Sequence, residues 1–215
     1  MSASIHYPVA AADAREQRGT AYLFDLDGTV TCDELLPLIA ESAGLEEEMK
    51  ILTELTLSGA IDFRQSFKLR VALLSTVPLV AVHRALERVR VDPHIGRFLR
   101  DRGEDAYVVT GNLDLWIRPL LDRLGVRAYT STGTHDGHRV QLTSILNKAD
   151  AARALRPHYR RLVAVGDSFN DIPMFENADL GIAYAGTHKP VPALVKISRF
   201  VVKDSASLCH MLTTL

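Results

Sequence analysis

Two carboxylates separated by one residue, Asp25 and Asp27, follow the apolar and aromatic run Ala21-Tyr22-Leu23-Phe24 and precede Gly28. In an extended segment residues i and i+2 point the same way, so both carboxylates share one mouth. Carboxylates this close repel unless a cation lies between them or one keeps its proton, and either outcome is chemically useful. Three later stretches add to them: Thr110-Gly111-Asn112, Lys148, and Gly166-Asp167-Ser168-Phe169-Asn170-Asp171. Oxygen ligands from Asp25 and Asp167, completed by a main-chain carbonyl and waters, suit a hard octahedral cation such as magnesium. The Thr110 hydroxyl, the N–H groups around Gly111 and Asn112 at a helix start, and the Lys148 ammonium are donors of the kind that hold phosphoryl oxygens. Once the phosphate charge is neutralised, a carboxylate can attack phosphorus and split the reaction into two easier steps.

The elements that must position these groups follow from the hydrophobic pattern. Residues 21–24 read as a buried strand ending in an acidic loop; the alternative is a hairpin at Asp27-Gly28, since Asp-Gly between hydrophobic residues is also a turn signal. Residues 33–91 contain no strand pattern. They read as helices from Glu34 to near Gly44, Leu45–Leu57 ending near Gly59, Phe63–Leu74 with Asp62 as N-cap, and Pro78 to about Val89, a small helical cap domain over the acidic loop. Asp92-Pro93 opens a capped helix ending at Gly103. Short apolar runs at 106–109, 126–129, 162–165, 180–184 and 200–202 then alternate with helices near 113–124, 148–155, 171–177, 191–195 and 205–212. Thr134–Arg139 reads as a hairpin tip.

Strands spaced by helices predict an α/β fold, a Rossmann-like three-layer core around a mostly parallel sheet, made of residues 20–32 and 92–215 with the cap at 33–91. Ligands of such sheets bind beyond the carboxyl ends of the strands, where Asp25, Asp27, Thr110-Gly111-Asn112 and Asp167 all fall. A hairpin at Asp27-Gly28 would leave the other strand-end clusters unexplained.

Composition narrows the partners. With 215 residues, 47% hydrophobic, 24% charged and a formal net charge of -1, the chain reads as a globular protein with no nucleic-acid or membrane surface, so an anionic ligand must be caught by local positive groups. Cys32 and Cys209 form neither a disulfide framework nor a zinc spacing, which makes a reducing cytoplasm the default. The first 19 residues lack the apolar core of a secretory signal and read as a flexible tail. The eight histidines show no ligand spacing, and His83, His94 and His158 read as surface helix positions.

Asp25-Leu26-Asp27-Gly28-Thr29, Thr110-Gly111-Asn112, Lys148 and Gly166–Asp171 resemble, in order and spacing, the four motifs of the haloacid dehalogenase superfamily of phosphohydrolases. The resemblance implies Asp25 as nucleophile and Asp27 as the acid that protonates the leaving oxygen and then deprotonates water. It implies magnesium on Asp25, the Asp27 carbonyl and Asp167, with Asp171 orienting the lysine or metal waters. A helical insert after the first motif is similar to the phosphoserine phosphatase-like branch. By that match Glu34 holds a substrate amino group, Arg70 a carboxylate, Phe63 the closed pocket and Asn170 the substrate near the metal. Helical spacing alone puts Phe63, Phe67, Arg70 and Leu74 on one stripe, where the charge of Arg70 needs a partner: a substrate anion, Glu34, or water.

Three departures from the branch bear on substrate choice: Asn112 replaces a second glycine, bulky Phe169 replaces a small residue, and Leu113 with Trp116 begins an unusual helix. The implied function is magnesium-dependent hydrolysis of a small phosphomonoester, phosphoserine or a similar amino or hydroxy acid, by a monomer or homodimer. The alternatives are phosphoryl transfer to an alcohol such as homoserine, hydrolysis of histidinol phosphate or a sugar phosphate, and non-catalytic phosphate binding.

Overall fold

The strand that ends at Asp25 lies at the centre of the sheet. The computed structural model describes residues 17–57 and 60–215. Strand β1 (Arg18–Phe24) pairs in parallel with β2 (Ala106–Leu113) on one side and β5 (Tyr159–Gly166) on the other, Phe24 lying opposite Val108 and Val165. Beyond β2 come β3 (Arg127–His135) and β4 (Val140–Ser144), and beyond β5 come β6 (Leu180–Tyr184) and β7 (Phe200–Val202). The order is β4-β3-β2-β1-β5-β6-β7, parallel throughout except for β4, which returns antiparallel to β3. No hairpin forms at Asp27-Gly28, because β1 is already paired on both edges.

A central strand with both faces covered should be apolar without alternation, and Ala21, Tyr22, Leu23 and Phe24 are all buried. Tyr22 and Phe24 point into one core with helices α5 (Pro93–Arg102), α6 (Asp114–Leu124) and α10 (Ser205–Thr214). The Tyr22 ring meets Phe98 edge-on at 5.0 Å, and its hydroxyl donates to Leu212 O at 3.1 Å. Ala21 and Leu23 point into the other, with α7 (Lys148–Leu155), α8 (Ile172–Phe175) and α9 (Pro192–Ile197). The result is the expected three-layer α/β architecture.

Four helices intervene between β1 and α5: α1 (Leu35–Glu41), α2 (Glu46–Leu57), α3 (Phe63–Leu74) and α4 (Leu79–Glu87). Asp62 starts α3 with a full capping box, accepting from Gln65 N at 2.7 Å while Gln65 Oε1 accepts from Asp62 N at 3.1 Å. Phe67, Val71 and Leu74 bury the inner face of α3, and Ile39 and Val82 join the same core from α1 and α4. The two connections to this block run side by side: Thr31 and Val91 form an antiparallel bridge, Cys32 N donates to Arg90 O at 2.8 Å, and Asp92 N donates to Val30 O at 2.9 Å.

Several boundaries differ from the sequence expectation. β1 takes in Arg18 and Gly19, which the tail reading left out: the anchor there is polar, Arg18 reaching Asp105 at 2.8 Å and Glu104 at 3.2 Å and stacking over Tyr159. The rest of the expected tail, residues 1–16, and Gly59, the expected helix end, lie outside the described residues. Residues 110–113, expected as loop and helix start, continue β2, and α6 begins at Asp114. There β2 pairs again with β3 at Leu113 and Ser131 after an irregularity, and Ser131 Oγ donates to Gly111 O at 2.6 Å. The helix expected at 171–177 is a tight 3₁₀ turn, Phe169–Asp171, followed by the single turn of α8. No single helix among the described residues is long and apolar enough to cross a membrane; the pair α3 and α4 that passes jointly is bent by 110°.

Candidate active site

The carboxyl ends of β1, β2 and β5 meet below the helical block. Asp25 follows β1 directly, its N–H donating to Val165 O at 2.9 Å, so the β1–β5 pairing aims its side chain. The chain then turns through Leu26–Val30 with Gly28 at φ 69°, a left-handed conformation that side chains disfavour. A Cβ at Gly28 would also lie 2.7 Å from the His188 ring. Lys148, from the first turn of α7, places its Nζ between Asp25 Oδ1 and Asp171 Oδ1, the latter at 2.6 Å. The other Asp171 oxygen accepts from Asp167 N at 3.0 Å, Ser168 N at 2.9 Å and Ser168 Oγ at 3.1 Å. Asp171 is thus saturated with donors and fully buried. Asp27 Oδ1 accepts from Leu35 N at 2.8 Å, and its Oδ2 from Asn112 Nδ2.

Charge in this cluster is out of balance. Burial first, then the Asp171 carboxylate, holds Asp25 well above the usual carboxylate range, although Lys148 opposes them. Burial and Glu34 push Asp27 up to about 7, against the hydrogen bonds from Leu35 and Asn112 and the charge of Lys148. Burial, Asp171 and Glu34 push Asp167 up to about 7 as well. Burial lowers Lys148, but Asp171 and Asp25 outweigh it and raise its pKa. Oxygens of Asp25, Asp167 and Asp171 lie within 4.8 Å of one another. This donor set, all oxygen and carrying surplus negative charge, fits a hard divalent cation. Because the Asp171 oxygens are engaged, Asp25 and Asp167 are the carboxylates with ligand capacity to spare.

A cavity of about 180 Å³ opens above the cluster. Asp25, Asp27, Gly111, Asn112, Asp167, Ser168 and Asn170 form its floor, and Glu34, Thr56, Phe63, Ser66, Phe67 and Arg70 line it from the helical block. Phe63 lies against the floor: a Cβ at Gly111 would come within 2.7 Å of its ring. Arg70 is half-buried and Glu34 half-exposed at the rim, 3.4 Å from His188 Nε2. Thr110 and Lys148 are buried behind the wall and do not line the cavity; Thr110 Oγ1 accepts from Asn112 N and Nδ2, both at 3.1 Å.

Phe169, one of the three departures, is 55% exposed and does not line the cavity, whereas Trp116 is fully buried in the core. His83, expected at the surface, is half-buried with Nε2 2.8 Å from Leu115 O. Sequence reasoning passed over His188 and the hydroxyls of Thr53, Thr56 and Ser66. His188 lies in a loop with no motif spacing, but Ser66 was discoverable, standing four residues before Arg70 on the same helical face.

A family model described as haloacid dehalogenase-like hydrolase matches residues 22–176, from β1 through α8. The chain belongs to that family. It resembles the phosphoserine phosphatase-like branch: it is 31% identical to a phosphoserine phosphatase of Methanocaldococcus jannaschii, over 90% of this chain and 93% of that protein. It is also 31% identical to one from Streptomyces coelicolor, over 85% of this chain but 48% of that longer protein. Among solved structures, a substrate-bound phosphoserine phosphatase complex superposes with a TM-score of 0.75 at 27% identity, covering 93% of this chain and all of the other. A phospho-aspartyl intermediate analogue of phosphoserine phosphatase gives 0.74 at 27% identity, covering 91% and 99%. The chain is accordingly a phosphatase-type hydrolase acting on phosphoric monoesters.

Proposed function

We propose that this chain is a magnesium-dependent phosphomonoesterase working through an aspartyl-phosphate on Asp25, with phosphoserine or a similarly small phosphorylated amino or hydroxy acid as substrate. The observation that carries the reading is the cavity itself, with Asp25, Asp27 and Asp167 on its floor and the opposite charges of Glu34 and Arg70 on its upper wall. Asp25, Asp167 and the Asp27 main-chain carbonyl would hold the magnesium. When bound, the cation neutralises phosphoryl charge so that an anionic carboxylate can approach phosphorus.

Each chemical step then falls to a residue of the chain. Asp25, with Oδ1 held by Lys148, attacks phosphorus through its other oxygen and the substrate alcohol departs. Asp27, with a pKa of about 7, holds a proton in part of the population near neutral pH, gives it to the leaving oxygen and takes one back from the water that hydrolyses the intermediate. Asp171 fixes Lys148, whose charge reaches the phosphoryl group through Asp25 from behind the wall. Thr110 braces Asn112 from the same side, and Gly111 and Asn112 face the phosphoryl oxygens from the floor. At the upper wall Glu34 receives the substrate amino group and Arg70 its carboxylate, with Asn170 beside the metal end. Residues 33–91 act as a cap, and Phe63 against Gly111 closes the pocket. The names of the relatives, the small cavity and the two free, half-buried cysteines support a metabolic phosphatase of the cytoplasm.

A phosphate-release panel tests this reading: phosphoserine, phosphothreonine, histidinol phosphate, sugar phosphates and nucleotides with magnesium. Phosphoserine is expected to give the highest kcat/KM. A sugar phosphate or nucleotide turned over better would sink the substrate, and full turnover in excess chelator would sink the cation.

A further inference from the structure

Arg70 carries a half-buried guanidinium, and among the described residues no carboxylate lies within 4.0 Å of it. What touches it is neutral. Its Nη2 donates to Thr53 Oγ1 at 2.9 Å, and its Nε to Ser66 Oγ at 3.2 Å. Both hydroxyls accept here, because a guanidinium has no acceptor of its own. Thr53 donates to Met49 O at 2.9 Å, and Thr56 donates to Leu52 O at 2.6 Å. Thr56 shares that proton with Ser66 Oγ at 2.7 Å, where Ser66 accepts. Lone pairs of both Thr53 and Ser66 are therefore left facing Arg70.

A neutral acceptor fixes the planar fork of an arginine without cancelling its charge, whereas a carboxylate would do both. Glu34, the natural competitor for Arg70, lies 3.4 Å from His188 Nε2. The two opposite charges act on each other through space without an ion-pair contact within 4.0 Å.

We infer that Thr53 and Ser66 are positioning residues for substrate choice: they hold Arg70 as an oriented, unneutralised receptor for the carboxylate of a zwitterionic phosphomonoester. This inference rests on the proposed role of Arg70 and extends it to two side chains that act through it. It also explains why hydroxyl residues line the inner faces of α2 and α3 where apolar residues would pack as well.

The test compares kcat/KM for phosphoserine with kcat/KM for phosphoethanolamine, which keeps the amine and lacks the carboxylate. Their ratio does not depend on the fraction of enzyme that is folded. Thr53→Val keeps the shape and removes the acceptor, and is expected to lower the ratio about tenfold, the worth of one charge-assisted hydrogen bond. Thr53→Ser restores the hydroxyl and should return the ratio to within about twofold of the wild type. Thr53→Asp, which supplies a carboxylate inside the protein, should lower it further than Thr53→Val. A ratio unmoved by Thr53→Val while Arg70→Ala lowers it overturns the inference and leaves the Arg70 reading standing. A ratio unmoved by Arg70→Ala, or no wild-type turnover of phosphoserine, overturns both.

Discussion

Replacing Lys148 by methionine removes the ammonium that offsets the buried carboxylates while nearly preserving side-chain length. Lys148 and Asp171 are fully enclosed, and Asp25 nearly so, with Nζ bonded to both acids. Breaking a buried pair by deleting one partner costs about 3–5 kcal/mol, because the remaining charge stays uncompensated. An exposed pair on the same helix sets the comparison: Arg153 and Asp150 are 3.3 Å apart with side chains 62% and 52% exposed, so Arg153→Met should cost at most about 1 kcal/mol.

The sign of the pH dependence follows from the acids. Asp27 and Asp167 titrate near 7 in the fold against the ordinary 3.8, so the folded state binds more protons and stability falls as pH rises from about 4 to 7. Lys148 lowers both values, so its loss carries that decline above pH 7. The deficit of Lys148→Met should therefore be smallest near pH 5 and largest at pH 8, and magnesium should narrow it. Urea unfolding at both pH values, with and without the cation, reads this directly. A loss under about 1 kcal/mol at pH 8, or one that grows on acidification, would refute the reasoning.

Three further outcomes follow from the same geometry. Asp25→Asn removes the nucleophile while Lys148 keeps Asp171, so phosphate release should fall by at least about 10³-fold with an unchanged circular dichroism spectrum. Gly111→Ala places a methyl group 2.7 Å from the tip of the Phe63 ring, which must swing away from the floor, so KM should rise; an unchanged KM would remove Phe63 from the closed pocket. Chelation should abolish turnover, and magnesium at about 100 times its Kd should stabilise the fold by about 2.7 kcal/mol in thermal shift measurements.

The floor of the site was legible because strand ends announce themselves. Apolar runs ending in Asp25, Thr110 and Asp167 state both the sheet and its functional edge; Asp171 lies in the last of these stretches, and Lys148 opens a helix of its own. Less visible were features held by polar contacts rather than hydrophobic period. The start of β1 rests on an ion pair of Arg18, and the continuation of β2 through Asn112 on pairing with β3. His188 reaches Glu34 only because two loops distant in sequence meet above Gly28. The partner of Arg70 was left open between a ligand, Glu34 and water, and the structure supplies a fourth kind of contact, hydroxyls from two helices.

The paired neck at Thr31 and Val91 bears on how such a protein can change. The chain leaves the sheet and comes back at neighbouring points, so everything between can be lengthened, trimmed or exchanged as one cassette without rewiring a strand. On the proposed reading, chemistry and choice of substrate would be inherited on separate stretches of polypeptide. A new specificity can be grafted while the machinery that cleaves the ester stays as it was.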